Sequence, residues 1–274
     1  MNRTRARATP APMDLGIAGK RAFISGSTAG IGLAIAAALA REGAHVVING
    51  RTQTRVDSAI AKLAASHLHV TGIAADLGTD EGFAVVAKAC GEADILVNNL
   101  GIFEPKPFLE IPDSDWRRFF DVNVLSGVRL ARAYLPGMLE RTWGRIVFIS
   151  SESALQIPAE MIHYGMTKTA QLSVARGIAE SVAGTGVTVN SVLPGPTASE
   201  GVGGFVESLA KAQNKTKATV EQEFFRDVRP SSLIKRFATV DEVASLVAYV
   251  CSAGASAITG ASLRVDGGVV RSIA

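Results

Sequence analysis

Tyr164 and Lys168 stand four residues apart in a stretch, 162–183, that reads as helix, so they share one face. A phenol is a poor acid at its reference pKa of about 10. An ammonium beside it favours the phenolate and is expected to lower that value. The pair is then fit to exchange a proton with a substrate oxygen. Ser151 stands thirteen residues earlier, at the end of a predicted strand, where its hydroxyl is placed to hydrogen-bond the same oxygen. Tyr-x3-Lys alone arises often by chance, so the assignment depends on the elements around it.

A second group of residues reads as a binding turn. Ser25-Gly26-Ser27-Thr28-Ala29-Gly30-Ile31-Gly32 runs from a predicted strand into a predicted helix. Glycines permit a tight turn and close backbone approach, and free N–H groups at the helix start attract a pyrophosphate. The spacing is Gly-x3-Gly-x-Gly. At the end of the second strand an NAD-linked protein commonly carries Asp or Glu for the ribose 2′-hydroxyl. Here the residues are Asn49-Gly50-Arg51. Arg51 can pair with a 2′-phosphate, and Ser27 and Thr28 can add hydroxyl contacts. NADP(H) is therefore the expected cofactor, with NAD(H) the alternative. Asp76 and Leu77 follow the third strand, where the carboxylate can accept from an adenine amino group.

These residues need a scaffold, and the chain supplies one. Strands are predicted at 22–25, 45–49, 68–74, 94–99, 145–150, 187–193 and 262–268. Helices are predicted at 31–42, 54–65, 79–90, 113–140, 162–183 and 239–252, the last with Thr239 and Glu242 as a capping box. Strands alternating with helices mean a doubly wound parallel sheet, an α/β fold of Rossmann type with helices on both faces. No linker divides the chain, so residues 14–274 are expected to form one domain. The stretch 194–236 is too long for a plain connection and reads as a substrate loop.

The 274 residues are 47% apolar and 19% charged, which excludes global disorder. Arg3, Arg5 and Arg7 carry the whole excess charge. Removing them leaves 25 basic and 25 acidic residues, so the body is neutral and gives no footprint for nucleic acid. Residues 1–13 read as a flexible tail. Cys90 and Cys251 are isolated and fit a reducing, cytoplasmic setting. The uncharged stretch 22–40 is broken by its glycine turn, so no membrane span is expected. His67 and His69 lack a third ligand, and no metal is expected.

Taken together, the motifs resemble those of the short-chain dehydrogenases/reductases of single-domain type, over about residues 16 to 270. SGSTAGIG (25–32) is similar to the family's glycine signature, with Ser25 where Thr is usual. NNLG (98–101) resembles its N-N-A-G motif. Asn123, Ser151, Tyr164 and Lys168 match its catalytic tetrad in order and spacing, and Pro194-Gly195 and VDGG (265–268) match its later segments. The resemblance implies that Tyr164 is the acid/base, that Lys168 binds the nicotinamide ribose, and that Ser151 polarises the carbonyl. It implies that Asn123 holds a water relaying protons toward Lys168. It places Gly26, Gly30, Ile31, Gly32, Asn98, Gly101, Pro194, Gly195 and Thr197 along the cofactor, and it implies a homotetramer paired through the two long helices.

The expected activity is an NADP-dependent interconversion of a carbonyl and a secondary alcohol on a small-molecule substrate. Candidates are 3-oxoacyl thioesters, steroids, sugars, polyols and small ketones. The alternative is a catalytically silent dinucleotide-binding regulator, which has no need of the full tetrad. Two departures from the family pattern stand out. Leu100 replaces the usual Ala and either narrows the pocket or packs outward. Glu152 follows Ser151 as either a salt-bridged acid or a carboxylate of the substrate pocket.

Overall fold

The computed structural model describes residues 14–273; the tail expected at 1–13 lies outside them. Seven parallel strands form one sheet: β1 (Arg21–Ile24), β2 (His45–Gly50), β3 (Val70–Ala74), β4 (Ile95–Asn98), β5 (Gly144–Ile149), β6 (Val187–Pro194) and β7 (Ser262–Val265). Their order is β3-β2-β1-β4-β5-β6-β7. The chain winds one way from β1 to β3 and the other way from β4 to β7. The crevice of such a sheet lies where the order reverses, at the carboxyl ends of β1 and β4.

Both faces of the sheet are apolar because both are covered. Along each strand the side chains alternate between two cores. Ile24, Ile48, Val97, Val147 and Val192 pack under α1 (Gly30–Arg41) and α9 (Val240–Val250). Phe23, Leu96, Ile146, Phe148 and Val189 pack on the opposite side, under α5 (Ser126–Glu140) and α6 (Ile162–Ser181). Complete burial of each such side chain contributes roughly 1.5–3 kcal/mol. Small helices α2 (Gln53–Ala64) and α3 (Asp80–Cys90) cover the β3 end, each started by a threonine side chain that accepts a first-turn N–H. The capping box of Thr239 and Glu242 is present at the start of α9.

Two predicted elements differ from those observed. The helix expected over 113–140 is interrupted: α4 (Asp113–Phe120) and α5 flank a π turn at Asp121–Leu125. Stretch 194–236 is not a plain loop. It folds into α7 (Glu200–Ala212), α8 (Lys217–Glu223) and a π turn at Phe224–Val228. Phe224, Phe225 and Phe237 stack there with ring centroids 5.1 to 5.2 Å apart, giving this roof a small core of its own. Both cysteines are free, with Cys251 buried in the sheet core.

Candidate active site

The glycine turn is held by polar side chains. Gly26 and Gly30 adopt φ of +59° and +55°, a region closed to most side chains. Ser25 Oγ accepts the N–H groups of Asn99 and Leu100, each at 3.0 Å, tying the turn to the end of β4. Asn99 Nδ2 donates to the carbonyls of Ser25 and Gly26. Ser27 Oγ donates to Ile24 O and accepts from Asn49 N. Buried and doubly used, that hydroxyl serves the turn. Thr28 packs against Gly50.

This turn fits a dinucleotide. The N-cap of α1 is Ala29, which supplies no side-chain cap, and the first turn carries no acid. Its first N–H groups have no carbonyl within the helix and favour an anion. Arg51 lies exposed just beyond β2, with no ion pair among the described residues. Asp76 is exposed after β3, its Oδ1 accepting from Gly78 N. Leu77, in contrast, is buried in the core beside Phe23. Asn98 is buried at the end of β4, and neither atom of its side-chain amide has a partner.

At the same edge a cavity of about 680 Å³ opens. Ile31, Gly101, Ser151, Tyr164, Lys168, Pro194, Gly195 and Thr197 all line it, so three of the four expected catalytic residues meet part of the expected cofactor set at one crevice. Lys168 Nζ donates to Ile149 O at 2.9 Å and to Gln171 Oε1 at 3.3 Å. A Cβ at Gly101 would sit 3.3 Å from that nitrogen, so the glycine leaves the ammonium open toward the crevice. Asp266 backs the carboxyl end of β6: its main chain lies within 2.8 Å of where a Gly195 Cβ would be, and its carboxylate accepts from Gly268 N and Val270 N.

Asn123 sits in the π turn, where an extra residue frees a backbone carbonyl. Its amide is spent on Ile102 and on Thr167, inside the helical turn that carries Tyr164 and Lys168. Its carbonyl accepts from Gln171 Nε2 at 2.6 Å. A side chain thus bridges Asn123 to Lys168, on the line where the resemblance implies a relaying water. Gln171 lies three residues beyond Lys168 on the same helix face, a spacing that was open to reading.

The electrostatics revise one expectation. Tyr164 is pushed above its ordinary pKa, first by burial and then by the Glu152 carboxylate; a hydrogen bond with Ser151 and the charge of Arg229 pull the other way. Lys168 is not among these influences: its Nζ lies 5.6 Å from the phenol ring centroid, and burial pushes the ammonium itself down to about 8. Without cofactor, Tyr164 is therefore a neutral proton donor. Lys168 folds with a pKa depressed from 10.5, so its charge costs stability below about pH 8, and that cost fades as the pH rises toward 10.5. Replacing it, as Lys168→Met, is accordingly expected to move the thermal midpoint relative to wild type more favourably at about pH 7 than at about pH 10. A difference that does not change with pH would place the amine in water.

The two departures resolve as well. Leu100 leans over Gly26 and packs into the core of Phe23 and Leu77, outside the crevice. Glu152 is both things at once: it lines the cavity and pairs with Arg229 at 3.4 Å. His163, next to Tyr164, faces away and stacks on Phe119 at 4.1 Å. Asn99, Gln171 and Arg229 were not among the expected site residues. Asn99 carried the signal of strand alternation with Asn98; Arg229, 77 residues from Glu152, carried none.

A family model described as enoyl-(acyl carrier protein) reductase matches residues 26–270. The chain is 49% identical to an uncharacterized oxidoreductase, YvaG, of Bacillus subtilis, covering 95% of this chain and all of that one. It is 35% identical to dehydrogenase/reductase SDR family member 4 of Bos taurus, over 91% of this chain and 86% of that one. Among solved structures, L-sorbose reductase from Gluconobacter frateurii, in complex with NADPH and L-sorbose, superposes with a TM-score of 0.90 at 33% identity, over 95% of this chain and 100% of that one. The glycine turn at the strand reversal, the converging serine, tyrosine and lysine, and these similarities along nearly the whole length lead to one conclusion: the chain belongs to the short-chain dehydrogenase/reductase family.

Proposed function

We propose that this protein is an NADP(H)-linked oxidoreductase that interconverts a carbonyl and a secondary alcohol, with Ser151, Tyr164 and Lys168 as its reacting and positioning groups. The observation that carries the reading is the meeting of these three side chains on one crevice beside an uncapped helix start. The nicotinamide, when bound, supplies or takes up the hydride. The first-turn N–H groups of α1 hold the pyrophosphate. Lys168, fixed by Ile149 O and Gln171, turns its free N–H toward the ribose. Pro194, Gly195 and Thr197 form the wall against the ring. The Tyr164 phenol gives its proton to the substrate oxygen, and the Ser151 hydroxyl stabilises the alkoxide as charge develops. The roof of α7 and α8 narrows access by water.

Arg51 carries the NADP preference, as an unpaired cation where the 2′-phosphate would lie, and NADPH in the L-sorbose reductase complex supports it. Arg51→Glu is expected to weaken NADPH at least ~10-fold and to leave NADH within about 2-fold, read by nicotinamide fluorescence. Equal effects on both would remove the preference. A homotetramer paired through α5 and α6 and a cytoplasmic location belong to the same reading. Sugars and polyols are the favoured substrates, since the L-sorbose reductase fold is so similar. Oxidation of NADPH with a panel of ketones and ketoses tests the activity itself; tight NADPH binding with no turnover across the panel would favour a regulator.

A further inference from the structure

Ser151 has one hydroxyl proton, and the structure shows where it goes. Ser151 Oγ donates to Glu152 Oε2 at 2.5 Å and accepts from Ser153 N at 3.1 Å. The proton needed by a reacting oxygen is thus committed to a neighbouring carboxylate. Glu152 is only 6% exposed. Its other oxygen faces Arg229 Nε at 3.4 Å, and Arg229 Nη1 reaches Glu160 Oε1 at 3.3 Å. Ser151, Glu152, Glu160 and Arg229 line the same cavity as Tyr164. Two carboxylates share one guanidinium, so this wall is short of hydrogen-bond donors. Phe103, Met161, Val202 and Phe224 add apolar surface to the same cavity.

A simple ketone cannot relieve this arrangement. It offers no donor, and turning Ser151 toward it would leave a buried carboxylate oxygen without its hydrogen bond, a cost of about 1–3 kcal/mol or more for a charged group. A substrate with a hydroxyl on the carbon next to the carbonyl brings the missing donor. Its two oxygens lie about 2.7–3 Å apart, close to the spacing of Ser151 Oγ and Glu152 Oε2. Two hydrogen bonds then form side by side. The substrate hydroxyl donates to Glu152, and the released Ser151 hydroxyl donates to the carbonyl oxygen. Arg229 keeps the carboxylate aimed.

We infer that Glu152 selects α-hydroxy carbonyl compounds, or vicinal diols in the oxidative direction, by exchanging the substrate's hydroxyl for that of Ser151. This rests on the reading of Ser151 and Tyr164 as the reacting pair and deepens it. A positively charged substrate is disfavoured at Glu152 because Arg229 already holds that carboxylate.

The test compares α-hydroxyacetophenone with acetophenone, whose ring suits the aromatic walls, under NADPH. Wild type is expected to prefer the hydroxy ketone in kcat/KM by at least ~100-fold, since a site built to bond a hydroxyl rejects the analogue lacking it. In Glu152→Leu the hydroxy ketone falls and acetophenone rises severalfold, because Ser151 is released; intrinsic reactivity cancels in the change of ratio. Glu152→Gln, which keeps the shape, is expected to cut the preference at least ~10-fold. Calorimetry on Tyr164→Phe reads the same selection without turnover: phenylethylene glycol binds at least ~10-fold tighter than α-methylbenzyl alcohol. No preference in wild type, or a parallel loss on both ketones in the variants, overturns the inference and leaves the oxidoreductase reading standing. No dinucleotide oxidation with either ketone, or with any member of the wider panel, overturns both.

Discussion

Tyr164→Phe is expected to lower turnover at least ~100-fold, the low end for losing a general acid, while NADPH affinity stays nearly intact. The two halves of this result follow from where the ring and the hydroxyl are. The ring packs edge-on to Phe103 at 6.3 Å between centroids, with Lys168 Nζ 5.6 Å from its centre, and phenylalanine keeps both relations. The lysine is anchored on Ile149 O and Gln171 without help from the phenol, so its grip on a ribose survives the change. Only the proton donor is lost. Burial and the Glu152 carboxylate hold that donor in its neutral form, so the wild-type group starts each reduction loaded. Ser151 remains and still offers one hydrogen bond to the alkoxide, which sets the residual rate. Steady-state rates and a fluorescence titration on the same preparation separate the two effects. Near-normal turnover by the pure variant would remove Tyr164 from the role of acid.

The parts of this site that could be read from the sequence are those written in local patterns. The Gly-x3-Gly-x-Gly turn, the four-residue spacing of Tyr164 and Lys168, and the run of apolar strands each depend on neighbours within a few residues. They put the seven strands in place, with ends shifted by at most three residues. The reacting groups fell on one crevice because the parallel sheet sends all strand ends the same way. The unread parts are set by distant contacts. The π turn around Asn123 exists to offer a carbonyl to Gln171, 48 residues on, and no local propensity marks such an extra residue. The α7–α8 roof was missed as structure because its Gly-rich start resembles a loop; its stability comes from Phe224, Phe225 and Phe237 meeting across the segment. Glu152 was ambiguous for the same reason, since its partner Arg229 sits in that roof. The expected lowering of the phenol by the ammonium is overridden because both groups are buried, and burial pushes Tyr164 up and Lys168 down.

Gly32→Ala is expected to abolish dinucleotide binding in practice, with affinity falling at least ~100-fold, or about 2.7 kcal/mol. The reason is space, because Gly32 does not adopt a positive φ. A Cβ there would stand 2.5 Å from Asn99 Nδ2, 2.7 Å from Gly26 O and 2.8 Å from Ser27 Cα. Two of these are main-chain atoms of the turn, and the third is the amide that bridges the Ser25 and Gly26 carbonyls. The methyl must therefore either lift α1 away from the turn or drive Asn99 off those carbonyls. Both movements open the cradle whose N–H groups face the pyrophosphate. Overpacking of this kind also costs the fold roughly 1–3 kcal/mol, so the cofactor-free thermal midpoint drops by several degrees. Gly30→Ala makes the contrast. Its Cβ would meet only Ser199, at 3.4 Å, but the residue sits at φ +55°, so the loss there is backbone strain without a clash. Combining Gly32→Ala with Asn99→Ala separates the two movements. If the methyl acts by displacing Asn99, the second change adds little to the first, and the coupling between them is large. If it acts by lifting α1, the losses add. A Gly32→Ala protein that binds NADPH normally would mean that the phosphates do not rest on this turn.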